Sequence, residues 1–277
     1  MRTIAELNYD FRIETRKRDA FNMNDKHRHE PYEIYYLRAG ERYYFIDDRI
    51  YHVNQGDLIF VPSNVLHRTT AANNEQHERT VLYFKDRFLA DLVPQSAHLM
   101  DCFYRETKVV RPKVAEQMQI ENTLAKLSTE YGKSLPHSAL YLKALLIELL
   151  VLANRIEPAE PNLYDSLSPI HEKIHKIVRY LRKNYQSAVT LAQLGDKFYI
   201  SQYYLSRMFK EVTGLTLIEY LNTVRVQEAQ KLLTSSDLSI TEISGLVGYE
   251  NQTYFGRIFK RITGLTPSEY RRQSSAG

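Results

Sequence analysis

Two segments near the C-terminus repeat each other. SQYYLSRMFKEVTGLTLIEY (201–220) and NQTYFGRIFKRITGLTPSEY (251–270) align without a gap at an offset of 50, and eleven of their twenty positions are identical. The stretches just before them, TLAQLGDKF (190–198) and SITEISGLV (239–247), also correspond, one residue out of step. Each copy carries the same punctuation. A Thr or Ser caps a short helix, a turn follows, and Ser201 or Asn251 caps a longer helix. That helix stops at a Thr-Gly pair, where Gly214 or Gly264 takes the left-handed conformation.

The longer helix divides into two faces. Leu205, Met208, Phe209 and Val212 fall on one side, as do Phe255, Ile258, Phe259 and Ile262 in the second copy. Gln202, Tyr203, Ser206, Arg207 and Lys210 are left on the other, matched by Gln252, Thr253, Gly256, Arg257 and Lys260. Arg pairs bidentately with guanine, Gln pairs with adenine, and Lys meets phosphate as a point charge. A duplicated helical bundle without a nucleic-acid role would not need that outward chemistry, so the repeat reads as a doubled helix-turn-helix.

Charge follows the same division. The net charge is +4, but from Ile170 onward 15 Lys and Arg face 9 Asp and Glu, whereas the first 169 residues hold 22 against 24. The basic character belongs to the C-terminal part, as expected for a polyanion partner. A single cysteine, Cys102, excludes an internal disulfide framework and fits a reducing compartment. The start, MRTIAELNYDF, has no basic-then-apolar signal pattern, and the longest apolar stretch, Ala144–Ala153, is far short of a membrane span. A cytoplasmic location without membrane insertion is expected.

The C-terminal residues resemble the AraC/XylS family of transcription regulators. The resemblance covers about Ile170–Arg272 and includes Arg225, Ala229, Leu232 and Leu233 in an R-x-x-x-A-x-x-L-L pattern, and the stretch VGYENQTYFGRIFKRITGLTPSEYRR. It implies two recognition helices in successive major grooves on one side of double-stranded DNA, with Leu217–Leu233 as spacer. By position it implies base reading by Tyr203, Ser206 and Arg207 in the first motif, and by Gln252, Thr253 and Arg257 in the second. Lys210 and Lys260 become phosphate contacts. Arg225 reads as a structural ion-pair former rather than a DNA contact.

The N-terminal third has a different texture. Short β-rich runs at Tyr9–Glu14, Tyr32–Leu37, Arg42–Ile46, Ile50–Val53, Asp57–Val61 and Arg79–Phe84 alternate with turn-formers, which argues for an antiparallel sandwich or barrel. His27-Arg28-His29-Glu30-Pro31-Tyr32-Glu33, then Gly40, is similar to the first cupin motif, and Gly56, Pro62 and His67 are similar to the second. Phe21, Asn64 and Ala71 depart from those motifs. On an extended strand residues 27, 29 and 33 share parity and so face one side. The resemblance, over about residues 5–90, is to a cupin-type β-barrel.

That quartet supports two readings. His27, His29, Glu33 and His67 could hold a divalent transition metal. In AraC-like sensors the same segment is commonly an inherited barrel signature, so these residues, with Tyr35, would line an effector pocket and no cofactor is required. Tyr32, Tyr35, Tyr36, Tyr43, Tyr44 and Tyr51 include rings that could stack on a sugar, although they occur at both parities and more than half are expected only to pack or coat the barrel.

From Lys113 the period becomes helical: Ile120, Leu124, Leu127 and Tyr131 share one face, and a second helix runs from about Pro136 through ALYLKALLIELLVLANRI. Such a helix covers its own barrel or, in this family, forms a dimer seam. The segment 157–169 is Pro-rich and polar, as a linker is. His171 and His175, four apart, are expected on a solvated helix face.

The expected fold is a two-domain α+β chain: a cupin-like antiparallel β-barrel (1–105), a helical dimerisation segment (106–157), a linker (158–169) and an all-α double helix-turn-helix domain (170–277). The expected function is a ligand-responsive, sequence-specific transcription regulator, an activator and not an enzyme, with operator DNA, RNA polymerase, a small-molecule effector such as a sugar and a second copy of itself as partners. The competing reading is a metal-dependent cupin enzyme attached to a DNA-binding module.

Overall fold

The structure is a computed structural model that describes residues 10–19, 29–73, 75–90, 98–133, 135–157 and 167–274. The chain forms two compact units, Met1–Leu167 and Ser168–Gly277. His27 and Phe21, and the expected linker residues 158–166, lie outside the described residues.

In the first unit all strand pairings are antiparallel. One sheet has the order β1 (Phe11–Arg18), β7 (His77–Phe84), β2 (Tyr32–Ala39), β5 (Leu58–Val61), β8 (Val109–Val110). The other has the order β4 (Arg49–Asn54), β3 (Glu41–Ile46), β6 (His67–Ala71). Side chains alternate across a strand, so β2 serves two cores at once. Its even positions Ile34 and Tyr36 join Leu82 and Phe84 of β7 and Leu58 and Phe60 of β5 against the helices. Its odd positions Tyr35 and Leu37 join Val81 and Ile59 against Tyr44, Ile46, Tyr51 and Val53 of the second sheet. Strands β6 and β8 carry no apolar alternation that the sequence would mark; HRTTA reads as polar, yet four of its five residues are buried.

Among the described residues four helices complete the unit: α1 (Asp86–Leu89), α2 (Asp101–Tyr104), α3 (Val114–Tyr131) and α4 (Ser138–Arg155). Ile120, Leu124 and Leu127 of α3 and Leu142, Leu145, Leu146, Leu149, Leu150 and Ala153 of α4 are buried against the first sheet. Each buried leucine contributes about 1.5–3 kcal/mol, which makes α3 and α4 an integral layer of this unit. The end of α4 is fixed by Arg105, which donates to the carbonyls of Asn154 (2.6 Å), Ile156 (3.0 Å) and Ala153 (3.3 Å). Cys102 is buried in this core, and burial pushes its thiol up to about 12. No described helix is long and apolar enough to cross a membrane.

The second unit is helical: α5 (Pro169–Lys183), α6 (Leu191–Phe198), α7 (Gln202–Thr213), α8 (Leu217–Ser235), α9 (Ile240–Leu246), α10 (Gln252–Thr263) and α11 (Pro267–Ser274). The duplicated residues do duplicated work. Thr190, Ser201, Ser239 and Asn251 each accept from the backbone N–H three residues on, at the starts of α6, α7, α9 and α10. Gly214 and Gly264 end α7 and α10 with φ of 76° and 82°. The following Thr216 and Thr266 form matching bonds with Glu219 and Glu269 to open α8 and α11.

The single-residue slip between the copies lies in the turn. Tyr199 (φ 50°) makes the first turn, while the second holds Gly248 at φ 92° and is two residues longer, the preceding helix α9 being one residue shorter than α6. A Cβ at Gly248 would lie 2.5 Å from the carbonyl oxygen of Gln186, so this turn is pressed against the chain leaving α5. Arg225 locks the same place. It donates to the carbonyls of Tyr185 (2.7 Å) and Ser187 (3.0 Å) and lies over the Tyr249 ring at 5.2 Å. Arg225 is thus structural, held by two carbonyls and a ring in place of the expected carboxylate. His175 also departs from expectation: it is buried against the core side of α5 beside Ile174 and Val178, because the apolar stripe of α5 includes its position.

Gly248→Ala combines backbone strain with a steric clash. It is expected to destabilise the second unit by about 2–4 kcal/mol in chemical denaturation, while Gly256→Ala, whose Cβ meets nothing within 4 Å, leaves stability unchanged within about 0.5 kcal/mol or raises it.

Candidate nucleic-acid interface and effector pocket

The two capped helices α7 and α10 bury corresponding positions. Leu205, Met208 and Phe209 face the core on α7, and Phe255, Ile258 and Phe259 do so on α10, with Val212 buried and Ile262 half-buried one turn on. The opposite faces are open. Tyr203 (80% exposed), Ser206, Arg207 and Lys210 lie on α7, and Gln252, Thr253, Arg257 and Lys260 lie on α10, all exposed. Residues 203, 206, 207 and 210 recur at i, i+3, i+4 and i+7, which brings them onto one stripe; 253, 257 and 260 repeat it. Gly256 at the centre of the second stripe leaves the helix surface low.

Two further side chains belong to these faces. Arg207 lies over the Tyr204 ring at 5.6 Å, and Arg257 over the Tyr254 ring at 5.3 Å. Each pair is spaced i, i+3, and the aromatic face holds the guanidinium extended before any partner arrives. Sequence reasoning passed over Tyr204 and Tyr254, although their identity in both copies at exposed positions is the signal that marks them. Gln252 is also held in place, because its amide oxygen accepts from the Thr241 hydroxyl at 3.1 Å. Pairing with both edges of an adenine requires Gln252 to share or release that bond.

In the first unit, strand β2 brings Glu33 inward beneath Pro31 and β6 begins with His67. His29 Nε2 lies 3.1 Å and His67 Nε2 3.3 Å from the same Glu33 oxygen, and the Tyr44 hydroxyl donates to the other at 2.5 Å. Both rings use their far nitrogen on the backbone: His29 Nδ1 reaches the Pro31 carbonyl at 2.7 Å and His67 Nδ1 the Val65 carbonyl at 2.9 Å. A carbonyl only accepts, so both Nδ1 atoms carry hydrogen and both Nε2 atoms are turned to the carboxylate. Burial opposes ionisation of Glu33, but the His67 charge and hydrogen bonds from His29, His67 and Tyr44 outweigh it and hold the carboxyl well below its usual range. Burial likewise disfavours a charged His67, yet the Glu33 charge and hydrogen bond, with the Val65 carbonyl, raise its pKa above the ordinary imidazole value.

The same geometry suits a metal. The ligand atoms of His29, Glu33 and His67 lie within 4.8 Å of one another, the one such group among the described residues, and ring nitrogens anchored by backbone carbonyls are the usual outer support of histidine ligands. A divalent ion held there would offer open coordination positions to an oxygen of a bound molecule. His171 and His175 do not form such a group. Tyr35 is fully buried on the same interior face, its ring 5.2 Å from that of Tyr44, and burial pushes its phenol up to about 12. Of the other tyrosines, Tyr44 and Tyr51 face this interior, whereas Tyr32 and Tyr36 face the helices, where Tyr32 meets Tyr104 and Tyr36 donates to Glu121.

Comparison with known proteins accounts for both units. Residues 8–150 match the family described as AraC-like ligand binding domain, and residues 194–273 the one described as Helix-turn-helix domain. Among curated relatives, the HTH-type transcriptional activator RhaR of Escherichia coli (strain K12) is 28% identical over 82% of this chain and 79% of its own length. RhaR of Mannheimia succiniciproducens is 24% identical over 81% and 79%. Among solved structures, ToxT from Vibrio cholerae is similar over 95% of this chain and 98% of its own, at 17% identity and a TM-score of 0.37. The ligand-binding match alone spans more than half of the chain, and the protein therefore belongs to the AraC family of ligand-responsive, DNA-binding transcription regulators.

Proposed function

We propose that the protein activates transcription by placing α7 and α10 in successive major grooves on one side of the duplex, roughly one helical turn or ~34 Å apart. The observation that carries this is the equivalence of the two helices: the same caps, the same buried positions and the same Tyr–Arg pairs present two exposed basic stripes from one compact unit. Tyr203, Ser206 and Arg207 read bases through α7, and Gln252, Thr253 and Arg257 through α10, with Lys210 and Lys260 on phosphates. RNA polymerase is the protein partner through which activation acts, and the protein works in the cytoplasm.

The first unit senses a small molecule, of which a sugar is the leading class, in the interior lined by His29, Glu33, His67 and Tyr35. Binding controls the DNA-bound form through differential affinity for two arrangements of the chain, since a ligand shifts only an equilibrium whose two states it binds unequally. We place a homodimer seam on α3 and α4, where Met118, Leu140 and Tyr141 remain exposed beside the buried face.

Gel-shift titrations separate the two kinds of DNA contact. Arg207→Ala is expected to cost ~1–3 kcal/mol of operator binding and to relax preference at one base pair. If that variant left operator and random DNA binding unchanged, α7 would not be the first reading helix. Lys260→Ala is expected to weaken all sequences alike and to reduce the salt slope by about one; a loss confined to one base position would contradict its phosphate role.

A further inference from the structure

The interior of the first unit holds positive charge that the His29–Glu33–His67 group does not use. On β7, His77 and Arg79 share parity with Val81, which packs into the interior core, so both side chains turn inward. His77 is 2% exposed and Arg79 8%. Arg42 of β3, 1% exposed, shares the face of Tyr44 and donates to Thr69 at 3.1 Å.

No described carboxylate forms an ion pair with Arg79. The four buried acids are engaged elsewhere: Asp10 with Arg87, Glu33 with its histidines and Tyr44, Asp57 with Arg111 and Glu130 with Ser138. Glu14, half-buried on β1, is shared by Arg12 and Arg16. Arg79 lies over the Tyr35 ring, 5.7 Å from its centroid, and its guanidinium sits beside the Tyr35 hydroxyl, but Arg79 Nε and that hydroxyl lack a hydrogen bond of good geometry, and both ring nitrogens of His77 lack one. A buried lysine or carboxyl can shed its charge; a guanidinium does not. Leaving Arg79 so placed is costly unless something supplies the missing acceptor and the missing negative charge.

The neighbouring strand adds a second observation. In the β1–β7 register Arg18 stands opposite His77 and Arg16 opposite Arg79, the latter a juxtaposition of like charges that destabilises a sheet unless an anion balances it. Burial, with Arg42, Arg79 and Arg18 nearby, pushes His77 down to about 4, so the ring is a neutral donor at pH 7.

We propose that Arg79, His77 and Tyr35 receive the acid group of a small organic anion, a carboxylate or a phosphate, inside the first unit. The inference rests on the reading of this interior as the effector pocket and narrows its ligand: if the effector is sugar-like, it carries an acid group. The anion's oxygens accept from Arg79 Nε–H, a His77 ring N–H and the Tyr35 hydroxyl, giving the first two the acceptor they lack and the hydroxyl a well-aligned one. The carboxylate of Glu33 repels such a group, which assigns the acid end of the ligand to the Arg79 side and leaves the rest to the His29–Glu33–His67 side.

The test uses the full-length protein and the acid group itself as probe. Inorganic phosphate and acetate are titrated separately at constant ionic strength against chloride, with D-glucose as neutral control, following melting temperature and operator affinity. The expected result is a saturable rise in melting temperature with phosphate or acetate, the effective arm identifying the acid group, and none with D-glucose. Arg79→Met is expected to melt at or above the ligand-free wild type, to bind operator normally, and to need at least tenfold more anion for the same shift. Arg79→Lys is expected to retain part of the response. The proposal is overturned if neither anion shifts the wild type, if the shift is the same in Arg79→Met, or if Arg79→Met melts several degrees lower without ligand, which would make Arg79 a structural ion. A response to D-glucose in both melting and operator affinity, with none to the anions, would overturn the anion site while leaving the effector pocket standing.

Discussion

The first unit depends on a sheet that is covered on both faces. Strand β2 is buried at six consecutive positions because α3 and α4 pack on one side and the second sheet on the other. Period-two alternation then sorts the side chains of these six positions: what faces the helices is apolar or ends in a hydroxyl that reaches a helix, and what faces the second sheet is buried. Every charged residue at an interior position must therefore be answered from within the unit. Glu33 is answered by two histidines and a tyrosine. The contrast with Arg79, which has no acid partner among the described residues, arises from the same burial.

The second unit rests on local chemistry. Its helices start at side chains that accept a backbone N–H and stop at glycines in the left-handed region, and the duplicated sequence repeats those devices residue for residue. The exposed face of each long helix is therefore legible without knowledge of the packing. Caps and glycines act over three or four residues, and the apolar stripe that fixes each helix's rotation has a period short enough to be read directly from the chain. The one break in the repeat, the extra residue at Gly248, proved to mark the turn that presses on Gln186.

What escaped the sequence lies where burial contradicts residue type. HRTTA of β6 and HER of β7 look like surface, and the alternation that places His67, His77 and Arg79 inside becomes visible only once Val81 and Tyr44 show which face is the interior. His175 was set on a solvated face for the same reason, its polar name outweighing its place in the stripe of Ile174, Ile177 and Val178. The Tyr204–Arg207 and Tyr254–Arg257 pairs were legible in the repeat but are not compositional signals. They gain meaning as stacks that restrict a guanidinium, which under the proposed function would reduce the ordering cost of binding.

The proposed function couples the buried polar interior of the first unit, as effector site, to the two exposed basic stripes of α7 and α10, as reading surface. The central claim is that both copies of the repeat contact DNA as equivalents. Methylation interference on a selected operator tests it most directly. The account predicts two clusters of interfering guanines, methylated at N7 in the major groove, about one helical turn apart on one side of the duplex, with Arg257→Ala abolishing contacts in one cluster and sparing the other. A single cluster, unchanged in that variant, would contradict it.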